Sequence, residues 1–201
     1  MSATRVAIIA SGGANIASLK FALERLNIES ELSADAHRIR SASHVILPGV
    51  GAAADAMVRL RASGLDRLIP ALKQPVLGIC LGMQLLFDAS AEGDSECMKI
   101  LPGKAERFVN APSLPVPHMG WNTLQIGAES PLLKGLDRSK SYAYFVHSYA
   151  LGISSATIAT CTYGREFSAC VQRENFFGVQ FHPERSALVG AHILKNFVLI
   201  H

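Results

Sequence analysis

The sequence is poor in the features that announce metal, nucleic-acid or membrane partners. Its four cysteines, Cys80, Cys97, Cys161 and Cys170, include no C-x-x-C pair, and no His and Cys cluster has zinc spacing. No metal is expected. No run of Lys or Arg is long enough for a nucleic-acid groove, and the net charge of +3 is weak. Neither G-x-G-x-x-G nor a Walker loop is present, so Ser11-Gly12-Gly13 does not make a nucleotide site. Long apolar runs are missing too. Val76–Phe87 is the longest, is broken by Gln84, and falls short of the roughly 20 residues that span a bilayer. The apolar start at Val6–Ala10 is too brief for a secretory leader. The expectation is a soluble, cytoplasmic protein with free thiols, which leaves cysteine chemistry open.

What is present is apolar and patterned. The chain has 201 residues, 49% hydrophobic and 17% charged, which suits a single domain over residues 1–201 with central strands covered on both faces. Arg5–Ala10 reads as a buried strand, and Ile16, Leu19, Leu23 and Leu26 follow at helical spacing. Ile28–Leu32 and Ser43–Leu47 read as strands, Ala52–Arg61 as a helix, Val76–Cys80 as a strand and Leu81–Ala89 as a helix. Such alternation predicts a parallel sheet wrapped by helices. The second half is strand-rich, at Trp121–Ile126, Tyr142–His147, Ala156–Thr162, Phe167–Arg173 and Phe176–Phe181, and Leu188–Leu199 closes it as a helix. The sheet is therefore expected to be mixed, parallel first and antiparallel later.

Three segments carry chemistry. Gly78-Ile79-Cys80-Leu81-Gly82 sits where an apolar strand meets a helix and matches the nucleophile elbow G-x-S-x-G with Cys for Ser. Alone, a cysteine between two packing glycines is more often a core residue. In His182-Pro183-Glu184, extended residues two apart point to one side, and proline holds its predecessor extended. A carboxylate there can fix the tautomer of a histidine base, although a triplet of this kind alone is more often a surface turn. Pro48-Gly49-Val50-Gly51 follows a buried strand and can leave backbone N–H groups uncovered, as an oxyanion loop or merely as a tight connection. Together, a thiol, a base with its orienter, and an oxyanion loop make a set for acyl transfer.

The stretches Gly78–Gln84 and Phe181–Glu184 resemble the class I, triad-type glutamine amidotransferases. Pro117–Asn122, Tyr144–Tyr149, the Pro48–Gly51 loop, Asn15 and Ser18 are similar to the glutaminase subunits of imidazole glycerol phosphate synthase within that family. The resemblance runs from Val6 to Phe197. It implies a flavodoxin-like α/β fold with a mixed, mainly parallel central sheet, and no cofactor. It implies hydrolysis of glutamine to glutamate and ammonia, with Cys80 as nucleophile, His182 as proton shuttle and Glu184 orienting His182. Backbone N–H groups of Val50 and Leu81 would hold the oxyanion, and Gly51, Gln84, Glu92, Ser148 and Tyr149 would hold glutamine. The implied partner is a (β/α)8 cyclase subunit, which receives the ammonia and makes imidazole glycerol phosphate and AICAR in histidine biosynthesis. Asn15, Met119, Trp121, Tyr144 and Arg185 would face that partner. The family usually has Lys at the Arg185 position and a tyrosine in the first loop, where this chain has Ser11–Ala14.

Two other readings compete. A glutaminase could serve a different synthase, for example one that aminates surface sugars. A non-catalytic regulator could use the same fold, against which stand the intact Cys80, His182 and Glu184.

Overall fold

The computed structural model describes residues 5–10, 16–138 and 140–201. Among these the chain runs β1 (Arg5–Ile9), α1 (Ile16–Arg25), β2 (Glu29–Ser33), α2 (Ala36–Ser41), β3 (His44–Gly49), α3 (Ala53–Ala62), α4 (Leu65–Leu68), β4 (Val76–Cys80) and α5 (Leu81–Leu85). Next come β5 (Phe87–Ser90), β6 (Ser95–Glu96), β7 (Leu101–Arg107), β8 (His118–Thr123), β9 (Gln125–Ile126) and β10 (Tyr142–His147). The chain ends with β11 (Tyr149–Leu151), β12 (Thr157–Tyr163), β13 (Arg165–Arg173), β14 (Phe176–Val179) and α6 (Ala187–Phe197).

Eight strands form the central sheet in the order β2-β1-β3-β4-β14-β13-β12-β9. The first five are mutually parallel, and the last three join antiparallel. The 2-1-3-4 beginning is the flavodoxin-like winding, so the expected fold class is borne out. Alternation along β1 explains the two layers. Val6 and Ile8 pack with Leu19 and Leu23 of α1 and with Ile193, Leu194 and Phe197 of α6. Ala7 and Ile9 pack on the opposite face with Ile39 of α2, Met57 and Leu60 of α3, and Leu65 of α4.

Two expectations need correction. Leu81–Ala89 is helix only as far as Leu85, after which Phe87–Ser90 turns into β5 and pairs parallel with β7. A continuous apolar run fits helix and strand equally. Remote partners decide it, among them the Asp88 carboxylate, which accepts from the Gly103 N–H at 2.8 Å. The second half also does not join one sheet. β11, β7, β5 and β6 form a separate four-stranded sheet, and β8 pairs with β10 in a ribbon of its own. Strand propensity names a segment and not its neighbour.

Candidate active site

β3, β4 and β14 are adjacent and parallel, so their carboxyl ends deliver Val50, Cys80 and the Gln180–Glu184 segment to one edge, where open α/β sheets place their sites. Cys80 ends β4 directly before α5 at φ 53°, ψ −112°, a conformation that L residues resist at a cost of about 1–3 kcal/mol. Close backbone packing enforces it. A Cβ on Gly82 would lie 1.9 Å from the Leu47 carbonyl oxygen, and one on Gly49 would lie 2.5 Å from the Gly82 nitrogen. Nothing larger than hydrogen fits where β3 touches the start of α5. The first N–H groups of a helix lack intrahelical acceptors, and Leu81 supplies the first of these beside the sulfur.

His182 follows β14 and is pinned through its backbone. Its N–H donates to the Tyr144 carbonyl at 3.0 Å, and its own carbonyl accepts from the Ser186 hydroxyl at 2.7 Å. Nδ1 meets Glu184 Oε1 at 2.9 Å, with both side chains buried, and His182 lines one cavity with Cys80. Burial resists a charge on this imidazole, but the hydrogen bonds and charges of Cys80 and Glu184 outweigh it and push its pKa up to about 10. The surroundings therefore favour a proton on His182 when Cys80 gives one up. Burial instead pushes the Cys97 thiol up to about 11 and the Cys161 thiol up to about 12, and raises Cys170 as well. Arg61 pulls Cys97 only slightly the other way, so these three are packed thiols whose burial dominates.

Cys80 and His182 open on a cavity of about 310 Å³. Val50, Leu81, Gly51, Gln84, Glu92, Ser148 and Tyr149, all singled out from the sequence, line it as well. Two of them also have structural work. Glu92 Oε2 accepts from the Ala53 N–H at 2.9 Å, so this carboxylate caps α3 where Ala52 has no side chain able to do so. Gln84 is buried, and its amide nitrogen donates to the Tyr149 carbonyl and to Gln180 Oε1, both at 2.9 Å.

The ribbon of β8 and β10 has two unlike faces. His118, Ala143, Phe145 and His147 point inward, whereas Met119 and Trp121 are 62% and 54% exposed beside Tyr144. Arg185 lies over Tyr144, its guanidinium carbon 4.7 Å from the ring centre. Asn15 lies outside the described residues. Val146, on the same strand, places its carbonyl 3.7 Å from the Cys80 sulfur, so the outward face runs up to the cavity.

Sequence reasoning gave no role to Gln180 or His147. Gln180 is fully buried and donates to the Cys80 sulfur at 3.7 Å. Its signal was one polar residue inside the apolar run Phe176–Phe181. His147 lines the cavity and donates from Nδ1 to the Tyr149 carbonyl at 2.8 Å, while its Nε2 meets His118 Nδ1 at 3.1 Å. Burial, the largest influence on each ring, lowers His147 to about 3 and His118 to about 4, so both are neutral.

A thiol and an imidazole braced by a buried carboxylate, at the edge of one cavity, can open an acyl carbon. Comparison with known proteins agrees. The family pattern described as glutamine amidotransferase class-I matches residues 8–200. The imidazole glycerol phosphate synthase subunit HisH of Xylella fastidiosa (strain 9a5c) is 51% identical over 195 residues, covering 97% of each chain. HisH of Xanthomonas euvesicatoria pv. vesicatoria (strain 85-10) is 52% identical with the same coverage. Among solved structures, a glutamine amidotransferase superposes with TM-score 0.74 at 17% identity, covering 96% of this chain and 97% of that one. PurLQS from Thermotoga maritima superposes with TM-score 0.69 at 20% identity, covering 98% of each, a likeness of fold. The chain belongs to the class I glutamine amidotransferases, and within them to the family of the HisH subunits of imidazole glycerol phosphate synthase.

Proposed function

We propose that residues 1–201 act as a single glutaminase domain that hydrolyses glutamine and passes the ammonia to a cyclase subunit of imidazole glycerol phosphate synthase, in histidine biosynthesis. The observation that carries this is His182, bonded to Glu184 at 2.9 Å and sharing with Cys80 the lining of a cavity of about 310 Å³. The Cys80 sulfur attacks the side-chain amide carbon of glutamine. The developing oxyanion is held by the N–H groups of Val50 and Leu81, donors of a kind worth about 10²–10³-fold in rate. His182 then gives its proton to the leaving nitrogen, which departs as ammonia and leaves a glutamyl thioester on Cys80. The same imidazole takes a proton from water, the hydroxide cleaves the thioester, and glutamate leaves. Glu184 keeps the ring turned so that its other nitrogen faces the sulfur. Gly51, Gln84, Glu92, Ser148 and Tyr149 shape the pocket for the amino acid.

The partner binds over Met119, Trp121, Tyr144 and Arg185, and the family resemblance adds Asn15 to that set. Exposed aromatic and apolar side chains grouped on one ribbon favour a protein surface there. Ammonia protonated in bulk water loses its nucleophilicity, so the exit has to be sealed by that contact. The test is glutamate release by the chain alone and with the partner and its ligand bound. Cys80→Ala should abolish release in both while ammonia-dependent synthesis by the complex survives. Undiminished glutamine hydrolysis by purified Cys80→Ala would sink the assignment.

A further inference from the structure

A buried primary amide has two N–H donors and one carbonyl to satisfy, so its surroundings reveal which way it is turned. Gln180 is fully buried between β14 and His182. The carbonyl of Tyr149 can only accept, and the Gln84 amide lies 2.9 Å from it, so the nitrogen of Gln84 faces that way. The same nitrogen is 2.9 Å from Gln180, which must therefore present its oxygen. The Gln180 nitrogen is left facing the Cys80 sulfur at 3.7 Å. On its far side the Tyr149 carbonyl also accepts from His147 Nδ1 at 2.8 Å, and His147 is backed by His118 at 3.1 Å. The node that aims Gln84 is thus itself held from two directions.

Two groups then contend for the sulfur. The Val146 carbonyl, also 3.7 Å away, accepts from the S–H and favours the thiol. The Gln180 N–H donates to sulfur, and a donor binds an anionic acceptor about twice as strongly as a neutral one. When the proton passes from Cys80 to His182, the contact with Val146 is lost and the contact with Gln180 strengthens.

We propose that Gln180 is a positioning residue for the nucleophile, an amide aimed by Gln84 that stays on the Cys80 sulfur when the thiol proton leaves. The proposal rests on the reading of Cys80 as the attacking group. It does not require Gln180 to touch glutamine.

The experiment measures the rate of Cys80 alkylation by iodoacetamide across pH in the full-length chain, read by mass spectrometry of the Cys80 peptide. Wild type is compared with Gln180→Met, which keeps length and removes the donor. The midpoint of the alkylation profile should move up by about one pH unit or more, which is about a tenfold loss in thiolate at pH values below both midpoints. With the partner present, kcat for glutamine should fall about tenfold while KM changes much less. Gln84→Met, read by alkylation alone, should move the midpoint in the same direction because Gln180 loses its aim. Circular dichroism confirms that each variant is folded, and Gln84→Met decides the matter if Gln180→Met is not. An unchanged midpoint in the folded variant overturns the proposal. Persistent glutaminase activity in Cys80→Ala, by contrast, overturns the reading of the nucleophile itself.

Discussion

At the scale of single residues, Glu184 sets what His182 can do, because its buried carboxylate holds one ring nitrogen and leaves the other to act. His182-Pro183-Glu184 was legible because an extended backbone puts alternate side chains on one side, and the 2.9 Å contact realises that geometry. The elbow glycines were legible only as a pattern. The contact of Gly82 with the Leu47 carbonyl joins segments far apart in sequence, and no local rule could have found it. Gln180 escaped notice for the same reason, since its meaning comes from Gln84 and Cys80, each about a hundred positions away. One prediction belongs here. Glu184→Gln keeps the shape but removes the charge that helps hold His182 near 10. It should lower kcat for glutamine by about 10²–10⁴-fold, with the fold retained. Steady-state glutamate release and a melting curve, measured together, check it, and near-normal kcat would show that Glu184 does not orient the base.

Among the elements, helices and parallel strands were readable and their pairings were not. Ile16–Arg25 and Ala53–Ala62 emerge close to where hydrophobic spacing put them. β5 was hidden in a run that also suits a helix, and the ribbon of β8 and β10 was invisible because alternation does not name a partner. That ribbon buries two neutral histidines and so fixes an acid limit for folding. His147 and His118 are held near 3 and 4 in the fold, against about 6.5 in an unfolded chain. Between those values the unfolded chain binds protons that the native state does not, so acidification favours unfolding. Stability should be flat just above pH 6.5 with respect to these groups and fall as pH drops toward 3. The slope from His147 approaches about 1.4 kcal/mol per pH unit, and His118 adds to it. Urea unfolding at several pH values, for wild type and His147→Gln, tests this. The variant should lose part of the acid slope, and identical slopes would show that His147 titrates normally.

For the whole molecule, the question is how a site at one sheet edge is joined to a surface. The site and the exposed face share β10, which carries Tyr144 on that face and ends with Val146 and His147 in the cavity lining. Arg185, one residue beyond Glu184, lies against Tyr144 in the free chain, a contact worth about 0.5–1 kcal/mol where exposed. Arg185→Ala should therefore leave the melting temperature almost unchanged. If the residue meets an acidic group of the partner, the change should weaken the complex by about 2–5 kcal/mol or uncouple glutamate formation from cyclised product. A binding titration with paired product assays decides it, and unaltered affinity with one-to-one coupling would make Arg185 an ordinary surface charge. The packing of the four thiols has a further consequence for the life of the protein in an oxidising episode. Peroxides react with thiolates, and burial keeps Cys97, Cys161 and Cys170 protonated. None of them can intercept an oxidant on behalf of Cys80. Damage therefore begins at the sulfur beside His182, and the earliest oxidised molecules are folded, intact in shape and already silent.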